Sequence, residues 1–135
     1  TVWVENGAIL VAGDAAFVAR RVQDFLKREA RKDLEAATRR HATHLGVKVA
    51  RIGIRDQSSR WGSASSTGAI NYSWRLILAP PFVLDYLAAH EVAHLREMNH
   101  SVRFWRIVKE LCPGMEPAKA WLRANGAHLH RYGVE

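Results

Sequence analysis

The sequence contains a single cysteine, Cys112, among its 135 residues. Neither a disulfide framework nor a zinc site built from several thiolates can therefore form within the chain. This scarcity of cysteine is typical of proteins from a reducing, cytoplasmic compartment. Because Cys112 stands at the end of a helical pattern and directly before Pro113, we expect it to be a buried structural thiol.

Long apolar runs are also missing. No stretch approaches the roughly 20 apolar residues that a membrane-spanning helix needs, and the first residues do not show the charged and apolar regions of a signal peptide. We therefore expect no membrane partner. With 48% hydrophobic residues, a chain of this length can bury one core, so residues 1–135 are expected to form a single domain.

Acidic residues are scarce relative to basic ones. Thirteen Asp and Glu stand against twenty Lys and Arg, which gives a formal net charge of +7. This excess favours polyanionic partners such as nucleic acid or nucleotides, but it also suits a solvated helix face that keeps a protein soluble. The composition leaves both interpretations open.

The first half of the chain shows strand patterns on either side of a long helical one. Asn6-Gly7 between two short apolar runs predicts a hairpin. Apolar residues at helical spacing then predict a helix from an Asp14 cap to about Leu45, with Gly46 as its stop. Alternating patterns predict three further strands, the last two joined as a hairpin, near residues 47–55, 60–63 and 69–79.

The second half of the chain is helical in pattern. Proline is favoured in a first helical turn, so Pro81 predicts the start of a helix that runs to about Met98. Ser101 is the predicted cap of a second helix over 102–111, and a third is expected from Glu116 to Asn125, stopped by Gly126. We therefore predict an α+β fold in which a mostly antiparallel small sheet packs on the long N-terminal helix and the 81–98 helix.

The stretch HEVAHLREMNH, residues 90–100, matches the zinc-protease pattern HExxH in its first five letters. On a helix, His90 and His94 lie about 40° apart and one turn along the axis, so both imidazoles can face one ion. Glu91 lies about 100° from His90, which suits a general base that contacts the attacking water. The spacing predicts a two-histidine clamp with a catalytic glutamate beside it.

A catalytic zinc ion usually has three protein ligands and one open position, so a third ligand must come from outside this helical pair. His100 is the predicted ligand, provided that the helix breaks before it, and Asn99 is expected to make that turn because asparagine tolerates left-handed backbone geometry. If the helix continued to Glu97, its carboxylate would lie on the face of His90, where it would orient a ligand histidine or contact the metal region. A solvent-facing glutamate at the helix end is the alternative. One zinc ion held by three histidines is the expected centre.

Other residues are weaker candidates for the site. Arg60, Trp61 and Ser63 are predicted to line the substrate cleft or support it, with Trp61 packed in the core and Arg60 solvated as the alternative. A developing oxyanion needs a further donor, and the sequence offers three that it does not rank: Tyr72, Arg75 and Tyr86. Four more histidines are expected to be ordinary surface residues: His41, His44, His128 and His130.

Four stretches in order resemble one known family: RWGSASS (60–66), NYSWRLILAPP (71–81), HEVAHLREMNH (90–100) and SVRFW (101–105). They are similar to the YgjP-like metal-dependent hydrolases, a zincin-like family related to the SprT and WLM metallopeptidases. The resemblance implies a zinc metallopeptidase-type domain with His90, His94 and His100 as ligands and Glu91 as the catalytic glutamate. Ala64 stands where this family usually has a cysteine, which puts any role of that thiol in doubt.

The leading functional hypothesis is a zinc-dependent peptidase that cleaves peptide bonds with Glu91 as general base and acts on a peptide or protein substrate. The arginine excess supports one alternative, a metal-dependent nucleotide or phosphoester hydrolase. A second alternative is a nucleic-acid-associated protease whose basic helix binds phosphates. No base-reading motif accompanies the basic residues.

Overall fold

One long helix lies between two groups of short strands, and most of the remaining described residues are helical. The computed structural model describes residues 2–5, 8–11, 15–56 and 60–130. Within them the elements are, in order, β1 (Val2–Glu5), β2 (Ala8–Val11), α1 (Ala15–Leu45), β3 (Arg51–Arg55), β4 (Gly62–Ala64), β5 (Ala69–Ser73), a 3-10 helix (Trp74–Leu78), α2 (Pro81–Ala93), α3 (Val102–Leu111) and α4 (Met115–His130). This order confirms the predicted α+β class.

Helix α1 follows the sequence prediction closely. Its buried face carries Leu26, Ala30 and Leu34, as the helical spacing of apolar residues indicated. Gly46 ends the helix with a φ of +76°, a conformation that glycine adopts at little steric cost. The predicted cap, Asp14, and the hairpin turn at 6–7 lie outside the described residues, although β1 and β2 pair antiparallel as expected.

The central sheet has three strands in the order β3-β5-β4. Strand β4 pairs antiparallel with β5 through the predicted hairpin, and β3 pairs parallel with β5. The sheet is therefore mixed, which the alternating pattern of β3 did not reveal because side-chain alternation is the same in both kinds of pairing. Strand β4 forms one edge of this sheet.

The prediction of a strand over 69–79 is wrong beyond Ser73. Residues 74–78 form a 3-10 helix whose first turn is capped by the Ser73 hydroxyl, which accepts a hydrogen bond from the Arg75 amide. Three successive side chains here are buried: Trp74, Arg75 and Leu76. A strand would send them to alternate faces, whereas the indole of Trp74 and the guanidinium of Arg75 both bond to Asp56.

Helix α2 is buried on nearly every side. It packs against α1, α3, α4 and β4, and its nine buried residues leave no continuous polar face. Apolar residues therefore surround this helix on most sides, as is typical of the central helix of a domain. It also ends at Ala93, five residues before the predicted end at Met98.

The sequence predicts four surface histidines and one buried cysteine, and the structure agrees with the prediction for some of these residues. His41 is buried and its Nε2 lies 2.9 Å from the Asp85 carboxylate, so the expectation of a surface histidine is wrong for His41. His44 and His128 are exposed as expected, and the side chain of His130 lies outside the described residues. Cys112 is buried at the end of α3, which confirms its structural interpretation.

Helix α4 runs from Met115 to His130, so Gly126 lies inside it and does not stop it. Gly126 is buried, and a Cβ placed there would lie 3.5 Å from the indole ring of Trp61. The prediction failed because a helix glycine can serve close packing as well as termination. None of the described helices combines the length and apolar character that crossing a bilayer requires.

Gly126→Ala is expected to raise the free energy of unfolding by about 1 kcal/mol, the difference in helix propensity between glycine and alanine. The new methyl group would make an ordinary contact with Trp61 at 3.5 Å. Urea unfolding of both proteins measures the change. Ala124→Gly, at an exposed position of the same helix, is the matched control and should lower stability by a similar amount. A Gly126→Ala variant less stable than the parent would show that the Trp61 contact tolerates no methyl group.

Candidate metal centre

The site forms at the C-terminal end of α2. His90 lies in the last turn of the helix and His94 is its C-terminal cap residue, so the helical part of the motif lies where the spacing predicted. Their ring centroids are 5.1 Å apart. Both imidazoles therefore reach the same region from one side of the helix.

The break that delivers His100 begins earlier than the sequence indicated. The amides of Arg96 and Glu97 both bond to the carbonyl of Ala93, which closes the helix with a turn over 94–96. Asn99 lies at a bend farther along, after this turn has already ended the helix. The return places Nε2 of His100 only 3.1 Å from Nε2 of His94.

The three histidines fit a single metal ion. One potential ligand atom from each of His90, His94 and His100 lies within 4.8 Å of the others. Zinc with Zn–N bonds of about 2.0–2.1 Å places tetrahedral ligand nitrogens roughly 3.3 Å apart. Burial, followed by the neighbouring His94 and His100, lowers the pKa of His90 to about 3, so its imidazole is in the neutral form that binds metals.

Hydrogen bonds orient two of these rings. The carbonyl of Glu97 lies 3.1 Å from Nδ1 of His94, and because a carbonyl can only accept, Nδ1 carries the proton and Nε2 keeps its lone pair. The Tyr86 hydroxyl lies 3.3 Å from Nδ1 of His90. Tyr86, which is itself buried, therefore orients the ring of His90.

Glu97 enters the site in a way the sequence did not predict. Its carboxylate points toward the start of α3, 3.5 Å from the Ser101 hydroxyl and 3.7 Å from the Arg103 guanidinium. The expectation that this carboxylate faces the metal region is wrong, because the helix has already ended. Its backbone carbonyl, which accepts a hydrogen bond from Nδ1 of His94, is the part of Glu97 that orients this imidazole.

Glu91 is 3% exposed and lies beside the histidines, with Oε2 4.0 Å from Nε2 of His90. Burial raises the pKa of Glu91 to about 8, and the positive charge of Arg60 opposes that rise. A cation bound beside Glu91 would lower the pKa of this carboxyl group and favour its ionised form. The carboxylate is thus held close to the expected metal position and shielded from bulk water.

Aromatic rings lie close to the histidine cluster. Phe104, which is fully buried, stacks on His94 with a centroid distance of 4.4 Å and an interplanar angle of 27°. Trp105 lies 5.7 Å from His100 at an angle of 25°. Ser101 caps α3 by accepting a hydrogen bond from the Phe104 amide, as predicted, and this fixes where both rings enter the site.

The cleft beside the histidines has a volume of about 300 Å³, and Arg60, Gly62, Ser63, Ala64 and Met98 line it together with the motif residues. Arg60 and Ser63 thus lie where the sequence predicted. Ala64, at the position of the family's usual cysteine, also lines the cleft.

Trp61 is not among the lining residues of this cleft. Its indole packs on Gly126 of α4, which agrees with the alternative interpretation of a packed tryptophan.

Two of the proposed oxyanion donors are held in the core. Tyr72 is fully buried and its hydroxyl lies 2.8 Å from the Thr38 hydroxyl. Arg75 is buried and pairs with Asp56. Neither side chain lines the cleft, whereas the cationic side chain of Arg60 does.

Comparison with known proteins agrees with this geometry. The YgjP-like, metallopeptidase domain family matches residues 4–125. The chain belongs to the YgjP-like metallopeptidase family. It is also similar to the crystal structure of the metallopeptidase zymogen of Pyrococcus abyssi abylysin, with 27% sequence identity, a TM-score of 0.56, and coverage of 64% of this chain and 86% of that one. A search of curated proteins found no match.

Both findings confirm the resemblance seen in the sequence and the metallopeptidase-type fold of this YgjP-like domain. Sequence reasoning nevertheless missed Gly62 and named Tyr86 only as a possible oxyanion donor. Gly62 lies against the Glu91 carboxylate, where a Cβ would come within 3.0 Å of Oε2. Tyr86 precedes His90 by four residues, and this helical spacing was a signal for contact that the sequence already contained.

Gly62→Ala in the YgjP-like domain is expected to lower the free energy of unfolding by roughly 1–3 kcal/mol, the usual cost of overpacking. The added methyl group would lie 3.0 Å from Oε2 of Glu91 and 3.1 Å from the Asn71 carbonyl oxygen. Chemical denaturation measures the loss. Gly114→Ala is the matched control because its Cβ would meet no atom within 4 Å. Equal effects of the two substitutions would contradict the close contact at Gly62.

Proposed function

We propose that this YgjP-like domain is a zinc-dependent peptidase in which His90, His94 and His100 hold one zinc ion and Glu91 is the general base. The convergence of three imidazole nitrogens beside one buried carboxylate carries this proposal. Three imidazole ligands with an open position suit a catalytic zinc ion. The family and the similarity to a metallopeptidase support a peptide bond as the target.

A zinc ion bound by these histidines would polarise the substrate carbonyl and increase the acidity of the attacking water. The protein's own contribution is to hold Glu91 where its carboxylate can accept the proton from that water and return it to the leaving amine. Burial of Glu91 keeps this proton transfer away from bulk solvent. The hydrogen bond between His90 and the Tyr86 hydroxyl, and the one that His94 donates to the Glu97 carbonyl, keep the ligand rings in place.

The substrate would bind along β4. This strand is at the edge of the three-stranded sheet, and its residues Gly62, Ser63 and Ala64 line the cleft next to Glu91. An extended peptide can add to such an edge through main-chain hydrogen bonds. Arg60 lies at the start of this edge and is placed to donate to the oxyanion that develops on the substrate.

The discriminating experiment incubates the zinc-loaded chain with a diverse peptide library and, separately, with a panel of nucleotides and phosphodiesters. Peptide cleavage supports the proposal. Cleavage confined to the phosphate compounds would replace it with the alternative of a phosphoester hydrolase.

Addition of DNA to the peptide assay at low and high salt tests the nucleic-acid-associated protease. That alternative requires that DNA stimulates peptide cleavage at low salt and that this stimulation is lost at high salt.

The compartment is part of the same proposal. A single thiol, Cys112, and the absence of any cysteine partner in the sequence support a reducing, cytoplasmic environment. The proposed zinc ligands are imidazoles and not thiolates, so oxidation of a cysteine would not remove a ligand.

Glu91→Gln is expected to lower peptide cleavage by roughly 10²- to 10⁴-fold while zinc still binds at one equivalent, because the amide cannot accept the proton. Turnover and zinc content of the same preparation are the measurements. Glu110→Gln, an exposed position on α3, provides the matched control and should retain activity. Unchanged turnover of Glu91→Gln would remove Glu91 as the base.

His100→Ala is expected to lower zinc affinity strongly, because it removes one of three ligands and leaves only the pair on α2. Zinc content after dialysis against a weak chelator, measured by atomic absorption, reports the loss. His44→Ala, at an exposed position of α1, should leave zinc content unchanged. Full zinc occupancy in His100→Ala would mean that another group is the third ligand.

A further inference from the structure

We propose that Trp105, held in place by Lys119 of α4, is a positioning residue for His100. The indole of Trp105 stacks on the His100 ring at 5.7 Å and 25°, and the Lys119 Nζ lies 4.2 Å from the indole centroid. This inference depends on the proposed metal site but not on the identity of the substrate.

His100 needs this support more than the other two ligands. His90 and His94 belong to the end of α2, and each has a hydrogen-bond partner at Nδ1. His100 is exposed and follows the bend at Asn99. Among the described residues, its one polar contact is the Nε2 of His94. Its orientation therefore depends on the aromatic rings that it touches.

Trp105 is suited to this role by its own contacts. Its ring lies 4.9 Å from the fully buried Phe104 at 81°, an edge-to-face arrangement that fixes its tilt. It also lies 5.7 Å from His90. The indole of Trp105 thus lies beside both His90 and His100. A shift of Trp105 would therefore change how these two imidazoles are placed relative to each other.

Lys119 adds a contact from a different element. An ammonium over an indole face is attracted to the ring, and at 4.2 Å the Lys119 Nζ is well within the distance for this interaction. The interaction holds Trp105 against α4, while α3 provides its backbone. The same positive charge would weaken the binding of a metal cation if it acted only through electrostatic repulsion. The two possible effects of Lys119 on zinc affinity therefore have opposite signs.

The test measures zinc affinity of the full chain by competition with a chromophoric chelator, together with the absorption spectrum of the cobalt-substituted protein and thermal unfolding without metal. Trp105→Ala is expected to lower zinc affinity roughly 10- to 100-fold, as for other groups that orient metal ligands. Trp105→Phe, which keeps an aromatic face, should restore most of this affinity. The cobalt spectrum of Trp105→Ala should change, because the geometry of His100 changes.

Lys119→Met removes the charge and keeps an unbranched side chain that is one heavy atom shorter, and it is expected to lower zinc affinity about 2- to 5-fold. Lys119→Arg keeps the cation over the ring and should match the parent. A rise in affinity for Lys119→Met would show that Lys119 acts by charge repulsion and would overturn its positioning role. If Trp105→Ala does not fold, zinc affinities of the two Lys119 variants and of Trp105→Phe still test the positioning role of Trp105.

Trp121→Ala is the matched control for loss of a large side chain. Trp121 is a partly buried tryptophan on α4 that packs against the core, and Trp121→Ala should lower thermal stability without changing zinc affinity or the cobalt spectrum. Parental affinity in Trp105→Ala would overturn the inference and leave the metal site intact. Failure of the parent chain to bind one zinc ion would instead overturn the proposed function.

Discussion

The hydrogen bond from Nδ1 of His94 to the carbonyl of Glu97 is the interaction on which the arrangement of the site depends. In a continuing helix this carbonyl would accept the amide four residues later. Because α2 ends at Ala93, the carbonyl accepts the imidazole proton instead. One bond therefore sets the tautomer of His94 and joins the helix end to the segment that carries His100 back.

Burial of α2 provides the second constraint. A helix enclosed by three other helices and a strand places Glu91 in the interior, where an isolated carboxylate is unfavourable and its pKa rises. Gly62 lets the edge strand approach this carboxylate closely. A group held at such a cost in stability, next to three convergent histidines, is typical of a functional site.

Local patterns predicted the features that depend on neighbouring residues. The end of α1 at Gly46, the Ser101 cap of α3 and the spacing of His90 and His94 were all correct for this reason. Three of the wrong predictions concern residues that contact a part of the chain far away in the sequence. Asp56 binds the 3-10 helix at 74–78, Trp61 packs on Gly126, and Asp85 pairs with His41. Neither periodicity nor composition contains information about such contacts.

The sequence by itself determined the types of group in the candidate centre and the spacing that places two histidines on one helix turn, because the α-helical period is a local property. Only the tertiary structure decided that Glu97 contributes a carbonyl and not a carboxylate, and that Trp105 contacts His100. These outcomes depend on where α2 ends and how α3 packs against it. Packing between segments is set by burial and hydrogen bonding across the whole domain, which no short stretch of the sequence specifies.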